Sequence, residues 1–512
     1  MLDTLLVSGN DLTNSVPIPA YVPQPQILAL ISTLIVYPSI TTRLPSHEKP
    51  EAANQAHAFL VHIISIVGPH NAGLNECLRF ASQNHLRSRR RDRLPAPDES
   101  SFDESEPKLT TKVAGDDSLF SQAEDFWSVL GWAFNCSVRY SARWDRWKLW
   151  LELMLDILSA DLKQRLAESR ANHSTKDHVD DSHPPPLLSQ YLSAANENRN
   201  SLRRIMRAIL ADGSSKAMAE FSSIWKNETR GPKGAEITRI GEQVKIDSDD
   251  EKYGDYNDDS STPEPASPSL PADPTPSAKR RRKPQARNSI PALEDQPPSS
   301  LGDSVSLHLR RRMLALLTYH STSLPDLINT ENLFDLFTEF MRPLPLAHFL
   351  ALLFPSPLSD VNAMSSLYQM LLRPILSGDA PVYNANYLTK EDLMSFYLPF
   401  TASSTEAADN AKVSVVIEGL LRLLWGQGLL DNVSDNSSPE RRVRLGRSAE
   451  KNGKVNKLRE AVERGIVARK DKVGTESRKR KAGAAAEEDE FAREVLEASS
   501  NRMRALLDMM EG

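Results

Sequence analysis

The chain has 512 residues, a formal net charge of −6 at pH 7, 34 prolines, 21 glycines and a hydrophobic share of 40%. This length allows roughly three domains, and the modest hydrophobic share indicates packed segments separated by polar ones. Collagen-like, glycine-rich all-β and wholly disordered chains are excluded. The two cysteines, Cys77 and Cys136, cannot form a disulfide framework for such a chain, so we expect a reducing compartment.

The first predicted domain spans residues 18–226 and is helical. Its apolar runs Ile27–Val36 and Phe59–Val67 are followed by proline or glycine–proline, which is where helices end. Each run is about half of the roughly 20 residues that cross a bilayer, so we expect no membrane partner. We predict a disordered loop at about 87–115 and a polar loop at about 168–187.

Five of the seven tryptophans fall within residues 117–167 of this domain. Trp127, Trp147 and Trp150 recur with neighbouring apolar residues at a spacing of three and four, which predicts two facing amphipathic helices with an aromatic core. The alternative is an exposed surface that stacks nucleic-acid bases or binds a peptide. The five are Trp127, Trp132, Trp144, Trp147 and Trp150.

Residues 228–303 are predicted to be a disordered linker, because they are rich in proline, serine and charge and carry too few apolar residues to form a core. The linker contains a basic run, and a second run lies near the C-terminus. Such runs are the kind that nuclear import receptors bind, so we expect a nuclear protein with an import receptor as partner. Phosphate binding through the same charges is the alternative. The runs are Lys279, Arg280, Arg281, Arg282 and Lys283, and Arg478, Lys479, Arg480 and Lys481.

The linker also carries short regulatory motifs. Val244, Ile246 and Asp247 open an acidic tract that resembles a SUMO-interaction motif, which adds a strand to the edge of a partner's sheet. Candidate phosphorylation sites, where a phosphate would add negative charge, are Ser248 in the acidic tract and the proline-preceding Thr262, Ser267 and Thr275.

A second helical domain is predicted over residues 304–430. Thr389–Asp392 resembles a capping box, and Ala407–Trp425 is predicted to be a long helix. Residues 432–485 are predicted to be charged and flexible, with room for a helix at Val455–Val467.

The last predicted element is an amphipathic helix at 487–510. It would dock a partner or fold back on the core through one apolar face. That face carries Phe491, Val495, Met503, Leu506, Leu507 and Met510.

Catalytic signatures are missing from the sequence. It has no phosphate-binding GxxxxGK[ST] loop, no GxSxG, no HExxH and no kinase motif set. His173, His178 and His183 are five residues apart, which fits no familiar metal spacing. We therefore expect no enzyme activity, no metal, no cofactor and no small-molecule substrate.

Strand signals are scarce, so the predicted fold is all-α, a helical bundle or irregular α-solenoid in two lobes with long disordered linkers. Whether the lobes form one continuous body stays open. The predicted function is a non-enzymatic nuclear scaffold or adaptor in a chromatin, genome-maintenance or other nuclear assembly complex. The alternative is a nucleic-acid-binding factor in RNA processing or ribosome biogenesis that uses the basic clusters.

Overall fold

A computed structural model describes residues 21–45, 47–80, 111–174, 185–195, 200–231, 301–354, 358, 360–378, 388–430, 447–473 and 483–511. These residues form 17 α-helices and no β-strand, with one isolated antiparallel bridge between Leu376 and Ala402. The predicted all-α fold is therefore confirmed. Within the same residues, no helix combines the length and the apolar character that a membrane crossing needs.

The N-terminal part contributes nine helices and a short 3-10 turn at Pro38–Ile40. In chain order the helices are α1 (Pro25–Val36), α2 (Glu51–Ile66), α3 (Leu74–Cys77), α4 (Leu119–Gln122), α5 (Phe126–Arg139), α6 (Ser141–Ser174), α7 (Leu187–Ala195), α8 (Asn200–Ile209) and α9 (Ser215–Glu220).

The C-terminal part contributes eight helices, and a π-helical turn at Leu393–Tyr397 continues α14. They are α10 (Ser304–Ser323), α11 (Thr330–Met341), α12 (Leu346–Leu353), α13 (Val361–Leu372), α14 (Lys390–Asp392), α15 (Ala407–Gly426), α16 (Arg447–Lys472) and α17 (Ala484–Glu511).

Two long helices organise the packing. Helix α6 contacts α1, α2, α5, α7 and α10, and α15 contacts α12, α13, α16 and α17. Every residue of α15 from Asn410 to Leu421 is buried, which is the behaviour of a helix surrounded on all sides. Several helices begin at residues whose side chains accept hydrogen bonds from the first turn. Asp125 caps α5 and Asp303 caps α10, and Thr389 and Asp392 form the predicted capping box.

Residues from both predicted lobes contribute to one continuous hydrophobic core, which extends from Leu28 to Leu507. The described residues on both sides of the linker accordingly belong to a single compact unit, which answers the question, left open by the sequence, of whether the two lobes form one continuous body. Arg310 shows the physical reason. Its buried guanidinium donates to the carbonyl oxygens of Ile209 and Ala211 and lies 4.1 Å from the Phe134 ring centroid. A buried cation needs such partners, and the first half of the chain supplies them.

Two further segment boundaries are corrected. Helix α6 continues to Ser174, into the predicted polar loop at 168–187. Residues 447–472 of the segment predicted to be flexible form α16, which buries Leu458, Val462 and Ile466. Its Arg469 donates to the carbonyl oxygens of Leu398 (3.0 Å) and Phe400 (3.1 Å). These tertiary contacts stabilise a helix whose surface is mostly charged.

Candidate functional site

The predicted import, SUMO-interaction and phosphorylation residues lie outside the described part of the chain. They remain predictions from sequence. They are Lys279 to Lys283, Arg478 to Lys481, Val244, Ile246, Asp247, Ser248, Thr262, Ser267 and Thr275.

The tryptophan cluster belongs to the core. Each of its five rings is buried, at most 3% exposed, and each indole N–H donates to a partner inside the protein. Trp127 donates to the Tyr191 carbonyl oxygen and Trp150 to the Ser32 hydroxyl. Buried tryptophans need such partners, and bases or peptides cannot reach the faces of these rings.

The remaining indole donors converge on two carboxylates. Trp132 and Trp147 donate to Glu228 Oε1 at 3.0 and 2.9 Å, and Trp144 donates to Asp303 Oδ2 at 3.0 Å. Glu228 also forms a buried ion pair with Arg143. Its Oε2 accepts the backbone N–H groups of Ile224 and Trp225. Every lone-pair direction of the carboxylate is thus used, which is the condition for a stable buried charge.

These carboxylates fix both ends of the segment between Gly231 and Leu301. Glu228 binds Arg143, and Asp303 binds the next residue of α6, Trp144. The described residues on either side of this segment therefore contact neighbouring residues of one helix. Sequence reasoning placed Glu228 and Asp303 in the linker. The only signal against that placement was Trp225, three residues before Glu228.

The apolar face of α17 is largely covered by the chain itself. Met503, Leu506 and Leu507 are buried in the core, whereas Phe491 is 39% exposed; Val495 and Met510 are partly buried.

Helix α17 runs parallel to α15. Ser499 lies 3.1 Å from Ser414 by their hydroxyls, and Arg502 binds the carboxylate of Glu418 with two hydrogen bonds. Of the two roles predicted for this helix, the structure has it folded back on the core.

The two cysteine thiols and one serine–histidine pair are buried. Burial raises the pKa of Cys77 to about 12 and the pKa of Cys136 well above its usual value, so both thiols stay protonated. A side-chain hydrogen bond joins Ser189 Oγ and His320 Nε2 at 2.7 Å, and both residues are buried. Burial lowers the pKa of His320 to about 4.

The described residues include no group of three or more side chains that could hold a metal ion. His178 and His183 lie outside those residues.

A solvent-open groove of about 530 Å³ lies between α6 and α10, a volume in the range of ligand and peptide sites. One wall carries Leu155, Ser159 and Lys163 of α6, at a spacing of four residues. The other wall carries Arg312, Ala315 and Tyr319 of α10. We call it the α6–α10 groove. Sequence reasoning missed it because its walls are about 150 positions apart in the chain.

The groove combines an apolar floor with a polar rim. Leu316 and Leu358 contribute to the floor and are buried, whereas Tyr319 is 37% exposed and Lys163 is exposed. A concave apolar surface with a few polar groups is a feature that binding sites share. Comparisons of the chain with protein-family models, with curated proteins and with solved structures find no match.

Proposed function

We propose that the chain is a non-enzymatic scaffold or adaptor subunit of a nuclear assembly complex, of the chromatin or genome-maintenance type, that binds partner proteins through its helical surface. The observation that carries the proposal is the α6–α10 groove, an open concave surface on two long helices of one well-packed body. Such a surface suits a protein segment, because rigid walls lower the ordering cost of binding.

The burial of the tryptophans favours a protein partner over a nucleic acid. A nucleic-acid factor would use exposed aromatic rings and a basic surface together, and here the five clustered tryptophan rings are inside. The basic runs at 279–283 and 478–481 then serve nuclear import in our proposal, since import receptors bind accessible runs of lysine and arginine.

The scaffold function is tested by purifying the tagged full-length chain from nuclear extract, with and without nuclease, and sizing the product. We expect a defined multiprotein complex that survives nuclease treatment. Recovery of the chain alone, or of a complex that nuclease disperses, would refute the scaffold function.

The nuclear address is tested by imaging a fluorescent fusion in which alanine replaces both basic runs. We expect it to accumulate outside the nucleus. The matched control replaces Lys457 and Arg464, exposed basic residues of α16, and should leave the distribution unchanged. A fusion that stays nuclear without either run would refute the assigned import signals.

A further inference from the structure

The parallel helices α15 and α17 bring a tryptophan and a methionine together near their C-terminal ends. Glu418 of α15 binds Arg502 of α17 with two hydrogen bonds. Trp425 follows Glu418 by seven residues, and Met509 follows Arg502 by seven residues. Seven residues are two turns of helix, so each helix presents nearly the same face again. Trp425 and Met509 therefore lie on neighbouring helices at the same height.

An exposed apolar patch surrounds this pair. Met509 is 58% exposed and Leu429, just beyond the end of α15, is 51% exposed, whereas Trp425 and Met510 are partly buried against the core. Tryptophan and methionine are enriched in protein interfaces, and contiguous exposed apolar side chains mark interaction sites. We call these four side chains, Trp425, Leu429, Met509 and Met510, the Trp–Met patch.

The Trp–Met patch itself carries no charge, and the charged groups beside it are of both signs. The Arg422 guanidinium lies 2.8 Å from the Glu418 carboxylate, and the Arg459 guanidinium lies 2.6 Å from that of Asp508. Lys390 also reaches the end of α15, where its buried ammonium donates to a backbone carbonyl oxygen 3.2 Å away. Because these charges already have partners, the patch favours an apolar surface rather than an acidic or a basic one.

The chain segment next to the patch offers little to cover it. Residues 431–446 contain three large apolar side chains in 16 positions, Val433, Val443 and Leu445. Serine, asparagine and charged residues make up most of the rest. The patch therefore fits an apolar surface of another molecule better than it fits this segment.

We propose that the Trp–Met patch joins two copies of this chain in a symmetric dimer. In a two-fold interface the same patch faces itself, so that residue i of one copy meets residue j of the other and the reverse. The patch holds both parts of a favourable contact, because a methionine thioether packs well against an aromatic ring. Met509 of each copy lies against Trp425 of the other. An uncharged patch also meets itself without repulsion between like charges.

The size of the patch sets the strength of the dimer. Four side chains on each copy bury less than the roughly 1,200–2,000 Å² of a standard stable interface. Contacts below that size are weak, so we expect a dissociation constant on the order of 10 µM. Because apolar burial drives the association, added salt should change this constant little. The dimer would place two copies of the chain in one complex, and it does not depend on the proposed scaffold function.

Two variants place a charge in the patch, and a third serves as the matched control. Met509→Lys and Leu429→Lys change side chains that are more than half exposed, so we expect neither to alter the thermal unfolding of the chain. Val467→Lys makes the same kind of change on α16, where Val467 is 52% exposed. Its neighbour Lys470 pairs with Glu497, which lies about 18 Å from Met509 along α17.

Sedimentation velocity of the purified full-length chain, from about 1 to about 200 µM and at low and high salt, tests the dimer. We expect the wild type and Val467→Lys to shift from monomer to dimer over this range at both salt concentrations. Met509→Lys and Leu429→Lys should each weaken the dimer by about tenfold or more, because each change acts twice in a symmetric interface.

A wild-type chain that stays monomeric throughout, or a dimer that both patch variants retain, would overturn the proposal. Equal weakening by Val467→Lys, or dissociation by salt alone, would overturn it too, because the association would then lie elsewhere. A monomeric chain whose nuclear complex loses a subunit on Met509→Lys would assign the patch to a different protein instead of a second copy. The absence of any complex from nuclear extract would refute the scaffold function and leave the dimer measurement unaffected.

Discussion

Glu228 is a charged side chain that lies entirely inside the protein. Its carboxylate and the Arg143 guanidinium are both withdrawn from water, and desolvation of two charges costs several kcal/mol per ion. The pair is tolerable because the indoles of Trp132 and Trp147 also donate to the carboxylate, while Arg143 also donates to the Val36 carbonyl oxygen and to Thr41. The contacts tie α1, α5, α6 and the end of the N-terminal part together.

Replacing Glu228 with glutamine should therefore be strongly destabilising. The change leaves the Arg143 cation buried without an anion and places an amide among indole donors, so we expect a loss of about 3–5 kcal/mol in the free energy of unfolding. Urea denaturation measures it. The matched change Glu494→Gln, at an exposed position of α17, should stay within about 0.5 kcal/mol. Equal effects of the two changes would contradict the role assigned to the buried pair.

His320 should make the protein sensitive to acid. Burial lowers its pKa to about 4, and its Nδ1 has no hydrogen-bond partner among the described residues. The folded protein therefore keeps His320 neutral, whereas the unfolded chain takes up a proton near pH 6.5. The contribution of His320 to the free energy of unfolding is fully present above pH 6.5. It falls as the pH drops to about 4, by up to about 3 kcal/mol.

The comparison with His320→Gln isolates this effect from the other histidines. The side-chain amide of glutamine can still form a hydrogen bond with the Ser189 hydroxyl, but it does not titrate. The free energy of unfolding of the variant should depend less steeply on pH between 6.5 and 4 than that of the wild type, although its absolute stability at pH 7 will be lower. Parallel pH curves for the two proteins would show that His320 is not the titrating group.

Helix α16 is held in place by a glycine. A β-carbon on Gly465 would lie 1.8 Å from the carbonyl oxygen of Leu398, so only glycine allows the helix to approach the end of the π-helical turn. The same approach lets Arg469 donate to the carbonyl oxygens of Leu398 and Phe400. Backbone contact and arginine together explain how a charged sequence becomes a docked helix.

Gly465→Ala should therefore destabilise the protein, against the usual helix preference. In a free helix, alanine is favoured over glycine by about 1 kcal/mol. Here we expect a net loss in thermal or urea unfolding, accompanied by faster amide exchange in α16. Gly426→Ala is the control, because a β-carbon at the end of α15 meets no atom within 4 Å. A Gly465 variant as stable as that control would contradict the docking described here.

The predictable elements are those whose own sequence carries the signal. Helices α15 and α17 follow from apolar residues at a spacing of three and four, and the capping box at Thr389 from side-chain chemistry. Helix α16 was foreseen only in part, because Gly465 and Arg469 act through Leu398, about 70 positions away. Glu228 and the α6–α10 groove were missed for the same reason: distant segments define them.

At the scale of the whole molecule, described residues from both halves of the chain pack into one body. The flanks of the segment between Gly231 and Leu301 contact consecutive residues of α6, Arg143 and Trp144. Described residues of the two halves also contact each other directly, as Arg310 does through the carbonyl oxygens of Ile209 and Ala211. The described body should therefore hold together without the segment between Gly231 and Leu301, provided that both flanks keep their anchors.

Replacing residues 232–298 with a short glycine–serine linker tests this arrangement. Each halving of the loop length lowers the entropy cost of closing it by about 0.6 kcal/mol, so a roughly eightfold shortening should leave the stability unchanged or raise it by about 2 kcal/mol. Thermal unfolding should remain a single cooperative transition. The control adds Glu228→Gln to the shortened chain. This change should lower the free energy of unfolding, because one anchor is lost. Two separate transitions, or loss of folding in the shortened chain, would mean that the halves depend on the removed segment.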